Sequence, residues 1–339
     1  MESRSQPLVS VITPVYNNAG DLAECIESVL AQTHPHFEYI LVDNCSTDGS
    51  GEIASAYAKR DPRIRFIRRS QLLSQVQNYN AALAETSAAS HYCKIVQADD
   101  SIFPDCLRLM VEAFEQSETI GLVSSYYLKG NFVRGSGFPF SSSFLSGKEM
   151  ARLYMRTGVY VFGSPTTVMY RASIVRNQNP FYDEGLLHED TEKCLQILEK
   201  WDFGFVPQVL SFLRVGNESI SSTARDFDPD ALDWYILAQR YASMFLDDKE
   251  AAALKAKSRR EYYSVLARAT LRFREPAFWK YHEDGLKTIN ETVDRGYLKT
   301  QILKRAAWLL VNPGELLARV FSKPEPKASN PSPPKIQTR

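Results

Sequence analysis

The chain predicts an α/β fold: a mainly parallel sheet wrapped by helices on both faces, followed by an all-helical C-terminal extension. Three observations predict it. Short β-branched runs alternate with amphipathic helical stretches through the first part of the chain, the pattern that builds βαβ units. Polar residues collect where the apolar runs end, and in such sheets ligands bind beyond the carboxyl ends of the strands. After Arg225 the apolar spacing is helical only.

Leu8 to Val15 (LVSVITPV) suits a strand buried on both faces. Asp21 is placed to cap a helix whose apolar stripe is Leu22, Cys25, Ile26, Val29 and Leu30. Phe37 to Val42 predicts a second strand ending at Asp43, and Ser46, Thr47 and Asp48 offer caps for a helix reaching about Lys59. Strands at Ile64–Ile67 and Tyr92–Val96 frame a helix over Val76–Leu83, and a helix around Leu107–Phe114 precedes a strand around Leu122–Tyr127. Gly130 to Phe144 reads as a long loop. Helix Lys148–Arg156, strand Thr166–Tyr170, helix Glu189–Lys200 and strands Phe203–Val206 and Leu210–Val215 follow. The expected domains are residues 1–224, a helical region over 225–321, and a proline-rich disordered tail over 322–339.

Composition excludes several classes. The 339 residues carry 40 Lys+Arg and 40 Asp+Glu, so there is no global basic field for nucleic acid. The neutral sum is uneven: residues 1–224 hold 19 basic and 25 acidic groups, and residues 225–339 hold 21 and 15. Five cysteines without a C-x-x-C spacing give neither a disulfide framework nor a zinc site. With no long apolar run and no signal-like start, the expectation is a reducing, cytoplasmic protein.

Asp99 and Asp100 stand together at a strand end. They serve either as a helix cap beside a solvated carboxylate, or as ligands of a hard cation that shares its other positions with substrate phosphates. Asp43 either opens a loop of turn formers or accepts a hydrogen bond from a nucleobase N–H. Gly49-Ser50-Gly51-Glu52-Ile53-Ala54 matches a dinucleotide fingerprint, but it follows the second strand and not the first, so nicotinamide binding is not expected. His188-Glu189-Asp190 opens a helix, where acidic residues suit the dipole, and a carboxylate there could also act as a general base. No P-loop, nucleophile elbow or histidine cluster occurs.

Together these residues resemble family 2 glycosyltransferases, inverting enzymes of the GT-A fold. Pro14-Val15-Tyr16-Asn17, then a strand, then Val42-Asp43 with Ser46, Asp48 and Gly49, resembles the family's opening. Asn80-Ala81-Ala82-Leu83 resembles its helix before the metal strand, and Gln97-Ala98-Asp99-Asp100 falls where its D-x-D motif belongs. His188-Glu189-Asp190 falls where its base motif belongs, and Phe212-Leu213-Arg214 to Ser219-Ile220-Ser221 resembles its closing segment.

The resemblance implies roles. Pro14, Tyr16 and Asn17 would border the nucleotide, Asp43 would bond the base, and Asn80, Gln97, Ala98 and Asp99 would line the donor site. Asp99, with Asp100 in support, would hold Mg²⁺ or Mn²⁺, and Asp190 would deprotonate the acceptor hydroxyl. The implied reaction moves one hexose or N-acetylhexosamine, with inversion, from a nucleotide-diphosphate sugar (uridine being the family's expectation) to a glycan or lipid-linked acceptor. The setting implied is surface polysaccharide or glycoconjugate assembly. The acceptor pocket is expected to draw on Gly130–Phe144 and Gly163–Thr166.

Two departures weaken the expected metal site: Gln97 stands at the first Asp of D-x-D, and Gly216 where a His often follows the Arg. They leave a catalytically idle nucleotide-sugar-binding relative as the alternative function. The processive Q-x-x-R-W motif is missing, which favours single-sugar transfer. Near the C-terminus, Tyr297–Val311 places Leu298, Ile302, Ala306, Leu309 and Leu310 on one side. That side either packs on the protein or, with the basic residues around it, touches an anionic membrane peripherally.

Overall fold

The computed structural model describes residues 6–138, 143–184, 189–215 and 227–312. The chain divides into two compact units, with the break after Val215.

In the first unit the elements run β1 (Val9–Val15), α1 (Leu22–Leu30), β2 (Phe37–Asp43), α2 (Ser50–Ala58), β3 (Ile64–Arg68), α3 (Gln75–Leu83), β4 (Tyr92–Ile95) and β5 (Ser101–Ile102). They continue with α4 (Cys106–Phe114), β6 (Ile120–Lys129), β7 (Phe132–Arg134), β8 (Phe144–Leu145) and α5 (Gly147–Thr157). A 3₁₀ turn (Pro165–Thr167), β9 (Met169–Arg171), α6 (Ala172–Arg176), α7 (Glu189–Leu198) and β10 (Asp202–Leu213) complete the unit. The strands form one sheet in the order β3-β2-β1-β4-β9-β6-β10-β5.

Strands β3, β2, β1 and β4 are parallel, as are β6 and β10. All seven residues of β1 are buried, which is why its sequence is a continuous apolar run and not an alternating one. Val9, Val11, Val15, Tyr39 and Leu41 share one core cluster with Leu22, Cys25, Ile26 and Val29 of α1 and with the apolar side of α4. Ile12, Ile40 and Val42 alternate with that set and are buried on the opposite face, where α3 contacts β1 and β2. Each such aliphatic side chain contributes roughly 1.5–3 kcal/mol on burial.

The sheet is mixed beyond β4, because β9 lies antiparallel to both β4 and β6. Four sequence expectations change. Asp21 precedes α1 but makes no side-chain cap. The Gly130–Phe144 stretch is not all loop, since β7 pairs with β6 and β8 begins at Phe144. Pro165 starts a 3₁₀ turn, so the strand expected from Thr166 begins only at Met169. The two strands expected after Lys200 are one, with irregular register around Pro207, which has no N–H to give the ladder.

The second unit contains α8 (Pro229–Phe245), α9 (Asp248–Leu271), α10 (Pro276–Lys287) and α11 (Arg295–Val311). Leu232, Tyr235, Ile236, Tyr262, Tyr263, Leu266, Phe278 and Leu286 form its core, with Tyr297 and Leu298 packed against them. Tyr235 stacks on Tyr262 at 4.9 Å. Leu310, placed by its spacing on one side of α11 with Leu298, Ile302, Ala306 and Leu309, is 84% exposed, and Leu303 is 69% exposed. Among the described residues no helix is long and apolar enough to cross a membrane. The expected tail, His188, and the segment from Gly216 to Ser221 lie outside the described residues.

Candidate active site

The carboxyl ends of β1 and β2 are sewn together by polar side chains. Past Val15, Tyr16 is exposed and Asn17 takes the left-handed region at φ 50°, which asparagine tolerates. The Asn17 N–H donates to Ser46 Oγ (3.0 Å), and its Oδ1 accepts from the Thr47 N–H (2.9 Å). The Asn18 N–H donates to Ser50 Oγ (2.8 Å), and Asp48 accepts from the N–H groups of Ala19 (2.9 Å) and Ser50 (3.0 Å). Asn17 is therefore a brace between the two loops. Pro14 is buried in β1 opposite Val42, behind that loop.

Asp43, at the end of β2, is fully buried. Its Oδ1 accepts from the Ser46 N–H (3.1 Å). Its Oδ2 lies 3.2 Å from Arg68 Nε, an ion pair without hydrogen-bond geometry, so a buried acceptor atom stays open beneath a half-exposed guanidinium. Gly51 explains itself here. A Cβ on it would sit 3.1 Å from Asp43 Oδ2, so the misleading glycine fingerprint reflects close packing behind the carboxylate.

The turn after β4 carries the next group. Asp99 is partly exposed, whereas Asp100 is buried. Asp100 Oδ2 accepts from the Thr166 hydroxyl (2.6 Å), and Oδ1 accepts from the Arg214 N–H (3.1 Å). Burial, and then the neighbouring Asp99 charge, push the Asp100 carboxyl above the usual carboxylate range. Asp100 is thus held from inside the protein through both its oxygens, while Asp99 beside it is the more exposed of the two carboxylates expected at a metal. Thr166 Oγ also accepts from the Gln97 N–H (3.0 Å), and the Thr166 carbonyl accepts from the buried Lys94 ammonium (2.6 Å). Arg214 closes the turn from β10: its Nε meets the Asp99 carbonyl (3.1 Å) and Asp21 Oδ1 (3.1 Å), and its Nη2 meets Glu24 (2.9 Å). Asp21 fails to cap α1 in the usual way because Arg214 holds it.

Ala98 points into the core, so only its backbone borders the turn. Gln97 donates through Nε2 to the Tyr79 hydroxyl (2.8 Å). The Asn80 Nδ2 donates to the Tyr182 carbonyl (3.0 Å) and its Oδ1 accepts from the Tyr182 N–H (2.7 Å). It braces the segment before α7.

Asp190 sits in the first turn of α7. Its Oδ1 accepts from the Thr191 N–H (2.6 Å). The phenols of Tyr127, Tyr160, Tyr170 and Tyr182 are all raised, by burial first and also by the Asp190 charge. Tyr79 accepts from Gln97 Nε2 and its ring lies 6.3 Å from that of Tyr182. Burial raises its phenol, and the charges of Glu189 and Asp99 both add to that rise. Sequence reasoning missed Lys94 and Tyr79, and it placed Thr166 in the acceptor pocket and not on the Gln97–Asp100 turn. A lysine inside the apolar run Tyr92–Val96 was the one visible signal.

Among the described residues no three His, Cys, Asp or Glu side chains cluster to hold a metal by themselves. Asp99 alone fits the donor set of a hard cation that is completed by phosphate oxygens and water.

Comparisons with known proteins bear on the family and the fold. The sequence model of "Glycosyl transferase family 2" matches residues 10–178. Streptococcus pneumoniae glycosyltransferase GlyG is 32% identical over 120 residues, covering 35% of this chain and 39% of GlyG. A Bacillus subtilis glycosyltransferase named for teichuronic acid biosynthesis, TuaG, is 39% identical over 107 residues, covering 32% of this chain and 42% of TuaG. The chain thus spans well under half the length of these curated relatives. Among solved structures, S. aureus TarS 1–349 in complex with UDP-GlcNAc shares the fold (TM-score 0.63, 17% identity, 87% of this chain and 88% of that one). So does mannosyltransferase PcManGT from Pyrobaculum calidifontis in complex with GDP-Man and Mn²⁺ (TM-score 0.54, 16% identity, 89% and 87%). With the mixed sheet and its loops arranged in this way, the chain belongs to glycosyl transferase family 2.

Proposed function

We propose that the chain is an inverting glycosyltransferase that moves one sugar from a nucleotide-diphosphate sugar to a hydroxyl of a glycan or lipid-linked acceptor, in surface polysaccharide assembly. The observation that carries this reading is the family match over residues 10–178 together with the Gln97–Asp100 turn, which Thr166, Arg214 and Tyr79 hold at the carboxyl end of β4. The open Oδ2 of Asp43 supports a nucleobase N–H as its partner, once Arg68 moves aside. Uridine is the base favoured, and the UDP-GlcNAc bound by TarS is consistent with that.

A divalent cation, Mg²⁺ or Mn²⁺, held by Asp99 and the donor diphosphate would neutralise charge on the leaving group. The chain's own residues do the rest. Thr166, Lys94 and Arg214 fix the Gln97–Asp100 turn, and Asn80 fixes the approach to α7. Asp190 accepts the proton of the acceptor hydroxyl as its oxygen attacks the anomeric carbon. The bond to the diphosphate breaks and the leaving group takes the electron pair, so one displacement inverts the centre.

Transfer assays with a panel of nucleotide sugars test this. Asp190→Asn and Asp99→Ala should each lower turnover by about 10²–10⁴-fold. If both folded variants transfer at the wild-type rate, the assignment fails. Gln97, engaged with Tyr79 and adding no charge, favours the idle alternative. Donor hydrolysis in the presence of Mn²⁺ would rule that alternative out.

The finer reading of location is cytoplasmic, with peripheral contact at the inner membrane face through α11. Leu303, Leu310 and Val311 are exposed on its outer side, with exposed Lys299 and Lys304 flanking them. Leu303→Glu with Leu310→Glu should reduce binding to anionic vesicles, and unchanged binding would remove the membrane from the proposal.

A further inference from the structure

We propose that the turn after α9, which carries Phe273 between Arg272 and Arg274, inserts into an anionic lipid surface. The contact is separate from sugar transfer and from the one proposed for α11.

Helix α9 ends at Leu271 in a tight cap: the Phe273 N–H donates to the Thr270 carbonyl (3.2 Å) and the Arg274 N–H to the Ala269 carbonyl (3.2 Å). That pair of bonds needs one left-handed residue at the helix exit, a place that usually goes to glycine and sometimes to asparagine. Phe273 holds it, at φ 51°. The other described non-glycine residues in that region are Asn17, Cys45, Asp228 and Asn290, all small or polar. A bulky residue there is strained, because its Cβ crowds the following carbonyl oxygen. Burial does not offset the strain. Phe273 is 91% exposed, more than any other large apolar side chain among the described residues, and Leu271 is exposed as well.

A strained residue that adds nothing to its own fold points to a contact outside it. The neighbouring charges choose the partner. From Tyr262 to Phe278 the chain holds Arg268, Arg272 and Arg274 against one acid, Glu275. Arginines near a helix C-terminus suit its dipole, which accounts for them without a partner. It does not account for the ring. A protein partner would be met by a broader patch with the aromatic residue at its centre, whereas the apolar part here is one phenyl ring and one leucine. A ring among guanidinium groups complements a lipid surface: the ring lies at the boundary of headgroups and acyl chains, and the guanidinium groups meet lipid phosphates. A single ring gives weak, reversible attachment.

The test is sedimentation of the full chain with vesicles of phosphatidylcholine, with and without phosphatidylglycerol. Wild type should bind the anionic vesicles more tightly, and salt should weaken that binding. Phe273→Gly removes the ring and the strain together. It should weaken binding about tenfold while the unfolding temperature stays the same or rises, so misfolding cannot explain the loss. Phe273→Trp should keep binding. Arg272→Gln with Arg274→Gln should weaken binding to the anionic vesicles alone, by roughly fivefold per charge. The proposal is refuted if wild type binds neither vesicle, if Phe273→Gly binds like wild type, or if Phe273→Gly is less stable. Wild-type binding by Phe273→Gly beside a loss in Leu303→Glu with Leu310→Glu would leave α11 as the contact and remove this one. Binding is read without donor or acceptor, so the outcome does not depend on the sugar-transfer reading.

Discussion

Replacing Thr166 by valine should show how much one hydroxyl holds the Gln97–Asp100 turn in place. Thr166 is fully buried. Its hydroxyl donates to Asp100 Oδ2 at 2.6 Å and accepts from the Gln97 N–H at 3.0 Å. Valine fills the same volume, so no cavity term enters, but two buried polar groups lose a partner. Burial pushes the Asp100 carboxyl towards its neutral form, so the figure for neutral groups applies, about 1–3 kcal/mol for each orphaned group. The sum is about 2–6 kcal/mol, which in a unit of this size lowers the melting temperature by about 4–24 °C. Thr166→Ser is the control: it keeps the hydroxyl and loses one methyl, for about 1 kcal/mol. Calorimetry on the wild type and both variants gives the comparison. A valine variant as stable as the serine variant, or more so, would refute the reasoning.

Two further predictions concern packing and pH. Gly147→Ala should destabilise the first unit by about 3 kcal/mol in urea unfolding, because a Cβ there would lie 2.1 Å from the Trp201 carbonyl oxygen and 2.3 Å from that of Leu198; a change below about 1 kcal/mol would contradict the close approach. In the second unit, burial holds His282 at about 4, below its ordinary 6.5. Between those values the unfolded chain binds the extra proton, so stability falls as pH drops from about 6.5 to about 4, by about 3 kcal/mol in all. Thermal unfolding of His282→Asn should lose this acid sensitivity while keeping the rest.

β1, β2 and β4 were legible because each is a largely apolar run buried on two faces, whereas β3 (IRFIR) was read from its alternation at the sheet edge. A strand was expected over Thr166–Tyr170, but the antiparallel direction of β9 was not legible, because three residues, Met169–Arg171, carry no sign of it. Asp21 has the residue type and place of a helix cap, yet its partner Arg214 comes from the far end of the unit, and no local rule finds a long-range ion pair. Asp99 was expected to hold a cation with Asp100 in support, and nothing in the sequence separates their surroundings. Only the fold decides that one turns outward while the other turns in towards Thr166. Asn80 matched a motif, and the structure gives that position a positioning role through the Tyr182 backbone.

These differences converge on how charge is arranged for a donor. Gln97 removes one carboxylate from the expected metal site, and Asp100 is withdrawn into the Thr166 and Arg214 bonds. One partly exposed carboxylate, Asp99, is left at the turn. A single carboxylate binds Mg²⁺ or Mn²⁺ weakly, since such ions usually draw most of their remaining ligands from water and phosphate. Metal affinity here should therefore depend on the nucleotide, with Mn²⁺ binding weakly to the protein alone and at least about tenfold more tightly when UDP is present. By linkage UDP must bind more tightly with Mn²⁺ by the same factor. Calorimetric titration of Mn²⁺ with and without UDP, corrected for Mn²⁺–UDP association in buffer, measures both arms. Tight Mn²⁺ binding without nucleotide would mean that Asp100 leaves its anchor to join the metal, and the division of labour between the two aspartates would fall.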